Sequence, residues 1–129
     1  MEYGQNNQKQ AAQYIATLLH AVTGVHMLHL LAKGNGSFAE HMALGALYDG
    51  LQDAVDGLAE EYFGCYGMVD GFPSEEFHAP TESRPYVEAV YQYILKNRKR
   101  MGDATHVQNS IDSILTLVST TIYKLKYLK

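Results

Sequence analysis

Apolar positions recur at spacings of three and four in four separate stretches of the chain, the period of helices that bury one side. The first stretch, Ala12, Ile15, Ala16, Leu19, Val22, His26 and Leu30, predicts a helix over about residues 8–32. Lys33-Gly34-Asn35-Gly36-Ser37 interrupts it. Gly34 suits the left-handed position that closes a helix, and Ser37 followed by Glu40 has the form of a capping box. Leu44, Tyr48, Leu51, Val55, Leu58 and Tyr62 form a regular seam and predict a helix over about 38–63. The segment from Gly64 to Pro80 is rich in glycine, proline and aromatics and reads as a loop. Val87, Val90, Tyr91, Ile94 and Leu95 predict a third helix over about 82–100. Val107, Ile111, Ile114, Leu115, Val118, Ile122 and Leu125 predict a fourth over about 104–127.

Four helices joined by short, long and short connections describe an all-α fold: a single ferritin-like four-helix bundle over residues 1–129, with its one longer connection between the second and third helices. That link of about 17 residues reaches roughly 55 Å when extended. It can therefore run the length of a 25-residue helix, about 38 Å.

Composition narrows the class. Hydrophobic residues make up 47% of the 129, enough for a folded core, and no uninterrupted apolar run reaches membrane-spanning length. The start, Met1-Glu2-Tyr3-Gly4-Gln5, lacks the pattern of a signal peptide, and the single cysteine, Cys65, cannot form an internal disulfide. These features predict a cytoplasmic protein without a membrane partner. The net charge of −4 is unevenly spread: residues 1–95 carry three bases against twelve acids, and residues 96–129 carry seven bases against Asp103 and Asp112. An acidic body suits cations, and a basic end suits phosphate or the acids of another subunit.

The candidate chemistry lies at the first helical corner. His29 is six residues before Asn35 and His41 six after it, so an antiparallel hairpin brings both imidazoles to the same height. Further along the second helix, Asp56 and Glu60 form an i,i+4 pair. His41 and Asp56 lie within about 60° of each other around the helix but about 22 Å apart along it. No single ion bridges that distance. A twofold axis near residues 48 and 49 does, because it sets His41 of one copy beside Asp56 and Glu60 of a second. Each of two equivalent sites then has two imidazoles and two carboxylates. Mixed nitrogen and oxygen ligation with open positions suits Fe(II) or Zn(II) better than Ca(II) or Mg(II).

The stretch His29-Leu30-Leu31-Ala32-Lys33-Gly34, then Phe38, His41 and Asp56-Gly57-Leu58-Ala59-Glu60, resembles the ferroxidase signature of the Dps family, the miniferritins or DNA-binding proteins from starved cells. The resemblance covers about residues 10–63, and the short link between the second and third helices suits a compact, phage-type member. It implies that His29, His41, Asp56 and Glu60 are both the metal ligands and the catalytic residues, with the two acids supplied by the twofold mate. It further implies iron as the metal, replaceable by zinc or another divalent transition ion, Fe(II) oxidation by peroxide or oxygen, storage of the product, and a homo-oligomer that is at least a dimer and extends to a twelve-subunit shell. Three positions depart from the family pattern: Gly45 stands where an acid often helps a second metal, Leu30 where tryptophan is usual, and Glu61 where arginine is usual.

Other features divide between plain and sharper readings. Lys96-Asn97-Arg98-Lys99-Arg100 complements the end of the third helix, or contacts DNA weakly. The alternative to an iron oxidase is a non-catalytic bundle that uses this basic end as a DNA-binding or protein-assembly module. His26, one turn from His29, is a core or interface histidine or an auxiliary ligand, and Glu75-x-x-His78 is an isolated pair in loop context.

Overall fold

The computed structural model describes residues 5–129, and among these every regular element is helical. The helices are α1 (Gln5–Leu31), α2 (Ser37–Tyr66), α3 (Ser83–Lys96) and α4 (Thr105–Tyr127), with a 3-10 turn, Arg98–Met101, between the last two.

Cross-helix contacts fix the directions. His29 and His41 meet across the α1–α2 corner. Tyr14 Oη donates to the Ile94 carbonyl at 2.8 Å and Tyr86 packs on Gly24, so α3 runs antiparallel to α1. Ser110 donates to Glu61 at 2.9 Å and Leu117 packs on Gly50, so α4 runs antiparallel to α2. It follows that α2 and α3 are parallel, and the segment between them must return along the whole bundle. It does so beside α1: Gln13 donates to Glu75 at 3.3 Å, and His20 meets the Phe77 ring edge-on at 5.7 Å. This is the one-crossover connectivity of a four-helix bundle. The crossover holds no helix of its own.

The core joins all four helices. Tyr14, Ile15, Leu18, Leu44, Leu47, Leu51, Leu58, Tyr62, Ile94, Met101, Ile111 and Ile114 are fully buried. Burial also pushes the Tyr14 and Tyr86 phenols up from their ordinary range.

Several sequence expectations need correction. In α1 the buried line is Ala11, Tyr14, Ile15, Leu18, Ala21, Val25 and Leu28, whereas the seam read from sequence drifts onto exposed Leu19, His26 and Leu30. The helix carries two adjacent apolar stripes, and periodicity alone does not say which faces inward. By length and composition, Asn7–Leu31 is also apolar enough to cross a membrane, although Tyr14, Ile15, Leu18, Val25 and Leu28 are spent on the bundle core. Ser37 is the first residue of α2 rather than its cap. Gly36, at φ 79°, precedes it, and no side chain caps this end. Two left-handed glycines, Gly34 at φ 95° and Gly36, tighten the corner instead, conformations that a side chain would strain. Glu40 is consequently free to accept a 2.7 Å bond from Ser83 at the start of α3. The second helix runs three residues past its expected end, to Tyr66, and the third stops at Lys96.

Candidate metal centre

The glycine corner brings the last turn of α1 against the first turns of α2. There the two half-buried imidazoles of His29 and His41 stack at 3.8 Å between centroids, 20° from parallel. Each ring nitrogen Nδ1 faces the other residue's backbone carbonyl: His29 Nδ1 lies 2.7 Å from His41 O, and His41 Nδ1 lies 2.9 Å from His29 O. A carbonyl only accepts, so both Nδ1 atoms carry the proton and donate. In the neutral rings this leaves each Nε2 with its lone pair. Metal-ligating histidines are usually oriented in this way, with the second nitrogen donating to a carbonyl or carboxylate.

Gly45 explains how the stack fits. A Cβ built there would lie 2.9 Å from His29 Cε1 and 3.1 Å from its Nδ1. Any side chain at this position would displace the ring. The glycine that departs from the Dps pattern is therefore the seat of the first imidazole. Sequence reasoning had no signal for this role, because it depends on contact across the corner. Beside the pair, His26 stacks on Tyr48 at 4.0 Å, within 6° of parallel.

Asp56 and Glu60 lie further along α2, both exposed to solvent. A hydrogen bond with Asp56, and then its charge, raise the Glu60 pKa above the ordinary glutamate value. The two carboxylates are thus close enough to compete for one proton. The structure brings the histidines together and the acids together, but it does not join the two pairs within one chain. Among the described residues no three or more histidine, cysteine, aspartate or glutamate side chains converge on one point. The reason is the rise of α2, about 22 Å over the 15 residues between His41 and Asp56.

The surface around the α1–α2 corner is partly apolar. Leu30 is 68% exposed, Leu31 60%, Phe38 75% and Met42 56%, all beside the imidazole pair in sequence. At the opposite pole, the basic run is partly committed to structure. Arg98 donates to Asp112 at 2.6 Å and to Gln108 at 2.7 Å, and Arg100 donates to Asn97 and Gln13. Glu75 accepts from Gln13, and exposed His78 lies 3.8 Å from Glu76. That loop pair therefore does not act as a unit.

Fold and donor set together define a one-crossover helical bundle with a pre-oriented imidazole pair on its surface. The chain belongs to a family of unknown function, DUF5856, which it matches over residues 29–125. The matched span begins at His29 and contains His41, Asp56 and Glu60. No curated protein and no solved structure matches the chain.

Proposed function

We propose that this protein is an iron-binding, Dps-like ferroxidase whose metal site is completed across a twofold dimer axis. The observation that carries the reading is the reciprocal pair of Nδ1–carbonyl bonds at the His29–His41 stack, which frees both Nε2 atoms for a cation. The donor chemistry fits iron: two imidazole nitrogens with one or two carboxylates and open positions is a common non-haem Fe(II) set. Three further features support a shared site. The acids are paired but have no further histidine, cysteine or acid beside them among the described residues. A twofold axis near residues 48 and 49 would set them beside the mate's histidines. Exposed Leu30, Leu31, Phe38 and Met42 supply apolar area for the contact.

In this reading iron is the substrate. His29 and His41 hold Fe(II), and Asp56 and Glu60 of the mate neutralise its charge and favour the ferric product. Two Fe(II) give one electron each to one hydrogen peroxide; its O–O bond breaks, and with two protons it becomes two waters. Ferric product could then collect as mineral if the dimers build a closed shell. A DNA-binding role draws less support, because Arg98 and Arg100 are engaged within the bundle. Anaerobic protein loaded with Fe(II) and mixed with peroxide or oxygen tests the proposal. Ferric absorbance should rise at least tenfold faster than in His41→Ala, a loss of about 1.4 kcal/mol of barrier lowering. Equal rates would overturn it.

A further inference from the structure

The 3-10 turn after α3 sets three cations in a row, Arg98, Lys99 and Arg100, at the pole opposite the imidazole pair. Gly102 ends the turn at φ 81°, where a Cβ would overlap the Tyr66 ring, so the turn closes directly against the end of α2. Between this turn, Tyr66 and the first turns of α1 lies a pocket of about 460 Å³. All three cations line it, and Asp103 is the one acid in its lining among the described residues. The volume falls in the range of small-molecule sites, about 300–1,000 Å³, and exceeds what a bare ion needs.

The three cations differ in what holds them. Arg98 is neutralised: it donates to Asp112 at 2.6 Å and to Gln108 at 2.7 Å. Arg100 is held by neutral oxygens instead, those of the Asn97 side chain at 3.1 Å and the Gln13 side chain at 3.0 Å. These bonds use Nε and Nη1 and fix the guanidinium, yet no carboxylate among the described residues pairs with it. Both N–H groups of its Nη2 remain to donate. Lys99 is exposed, and its ammonium has no partner among the described residues. Gln10, half-buried in the same lining, has a side-chain amide with no partner among them either. Two unpaired cations against one carboxylate leave the pocket positive, on a chain whose net charge is −4. A guanidinium that is oriented without being neutralised suits the oxygens of a phosphate.

We infer that this pocket binds a small organic phosphate ester, with Arg100 and Lys99 on the phosphate oxygens and Gln10 and the Tyr66 ring beside the organic part. The site is independent of the metal centre at the other pole. A nucleic acid fits it less well, because a duplex is held by a row of cations along its backbone, and here the unpaired cations are confined to one pocket.

Calorimetric titration of the full-length chain with AMP, ribose 5-phosphate, adenosine and inorganic phosphate tests this. Both esters should bind and adenosine should not. Inorganic phosphate should bind more weakly than either ester. Lys99→Gln and Arg100→Gln should each weaken AMP binding by about tenfold or more, the loss of a charge-assisted bond. Lys126→Gln, which removes the same charge at the far end of α4, should leave it unchanged. Circular dichroism checks each fold. Lys99→Gln breaks no bond among the described residues, so it decides the outcome even where Arg100→Gln unfolds. Absence of binding by both esters at millimolar concentration would overturn the site. So would AMP affinity that is unchanged in Lys99→Gln, or that falls equally in Lys126→Gln as a general charge effect does. Tighter binding of a short DNA duplex than of either ester, lost in the same variants, would make the surface a nucleic-acid contact and overturn the small-molecule reading.

Discussion

At the residue scale, His29 and Gly45 depend on each other. The imidazole occupies the volume that a Cβ at position 45 would need. Gly45→Ala should therefore push His29 out of its bond to the His41 carbonyl while leaving α2 helical, since alanine is favoured over glycine there by about 1 kcal/mol. Metal affinity should fall about 10–100-fold, the usual cost of losing a ligand's orienting contact. Calorimetric titration with Zn(II) checks this, and unchanged affinity with unchanged helicity would contradict it. The acid pair has its own signature. Because the folded state raises the Glu60 pKa, it holds that proton more tightly than the unfolded chain does. The pair therefore costs no stability below the unfolded carboxylate pKa and begins to oppose folding as pH rises through and beyond it. Metal-free Asp56→Asn should melt higher than wild type at neutral pH, with the difference vanishing in acid; Zn(II) should raise the Tm of the wild type and not that of Asp56→Asn. A lower metal-free Tm at neutral pH would refute the repulsion. Both side-chain pairs were legible in the sequence, through the equal offsets from Asn35 and the i,i+4 spacing. The role of Gly45 was not, because it is set by a contact between helices.

At the element scale, α1 shows the limits of periodicity. Its two apolar stripes differ by one residue in phase, so the buried line through Leu18 and Val25 and the exposed line through Leu19, His26 and Leu30 fit the same spacing. Only packing against α3 and the crossover decides between them. The exposed stripe gains a purpose if a second copy covers it. Leu30→Glu or Phe38→Glu should raise the dimer dissociation constant at least tenfold, about 1.4 kcal/mol, with little change in the fold of the single chain. Sedimentation or light scattering checks this, and an unshifted dimer would place the contact elsewhere. The helix ends were read less well than the seams. Glu40 fits a cap in the sequence but bonds Ser83 of a helix distant in sequence, and α3 ends where Asn97 bonds the Tyr93 carbonyl one turn back and Arg98 reaches across to Gln108 of α4.

For the whole molecule, the crossover decides which surfaces remain free. By returning along α1 between Gln13 and Phe77, it covers one side of the bundle. The surface carrying His26, His29, His41, Asp56 and Glu60 stays uncovered. The bundle and its connection lengths were legible because helical seams and proline positions are local signals. The direction of α3 followed only from the reach of the link, until the contact of Tyr86 with Gly24 fixed it. Shared ligation is the central claim, and subunit exchange tests it most directly. His41→Ala and Glu60→Ala should each be nearly inactive alone. When they are co-expressed or refolded together, half the dimers are hybrids, and each hybrid has one site with intact histidines from one chain and intact acids from the other. Random pairing should therefore restore about a quarter of the sites, and iron oxidation should recover to about a quarter of the wild-type rate. Activity no higher than that of either variant alone, in a mixture shown to contain hybrids, would contradict the account.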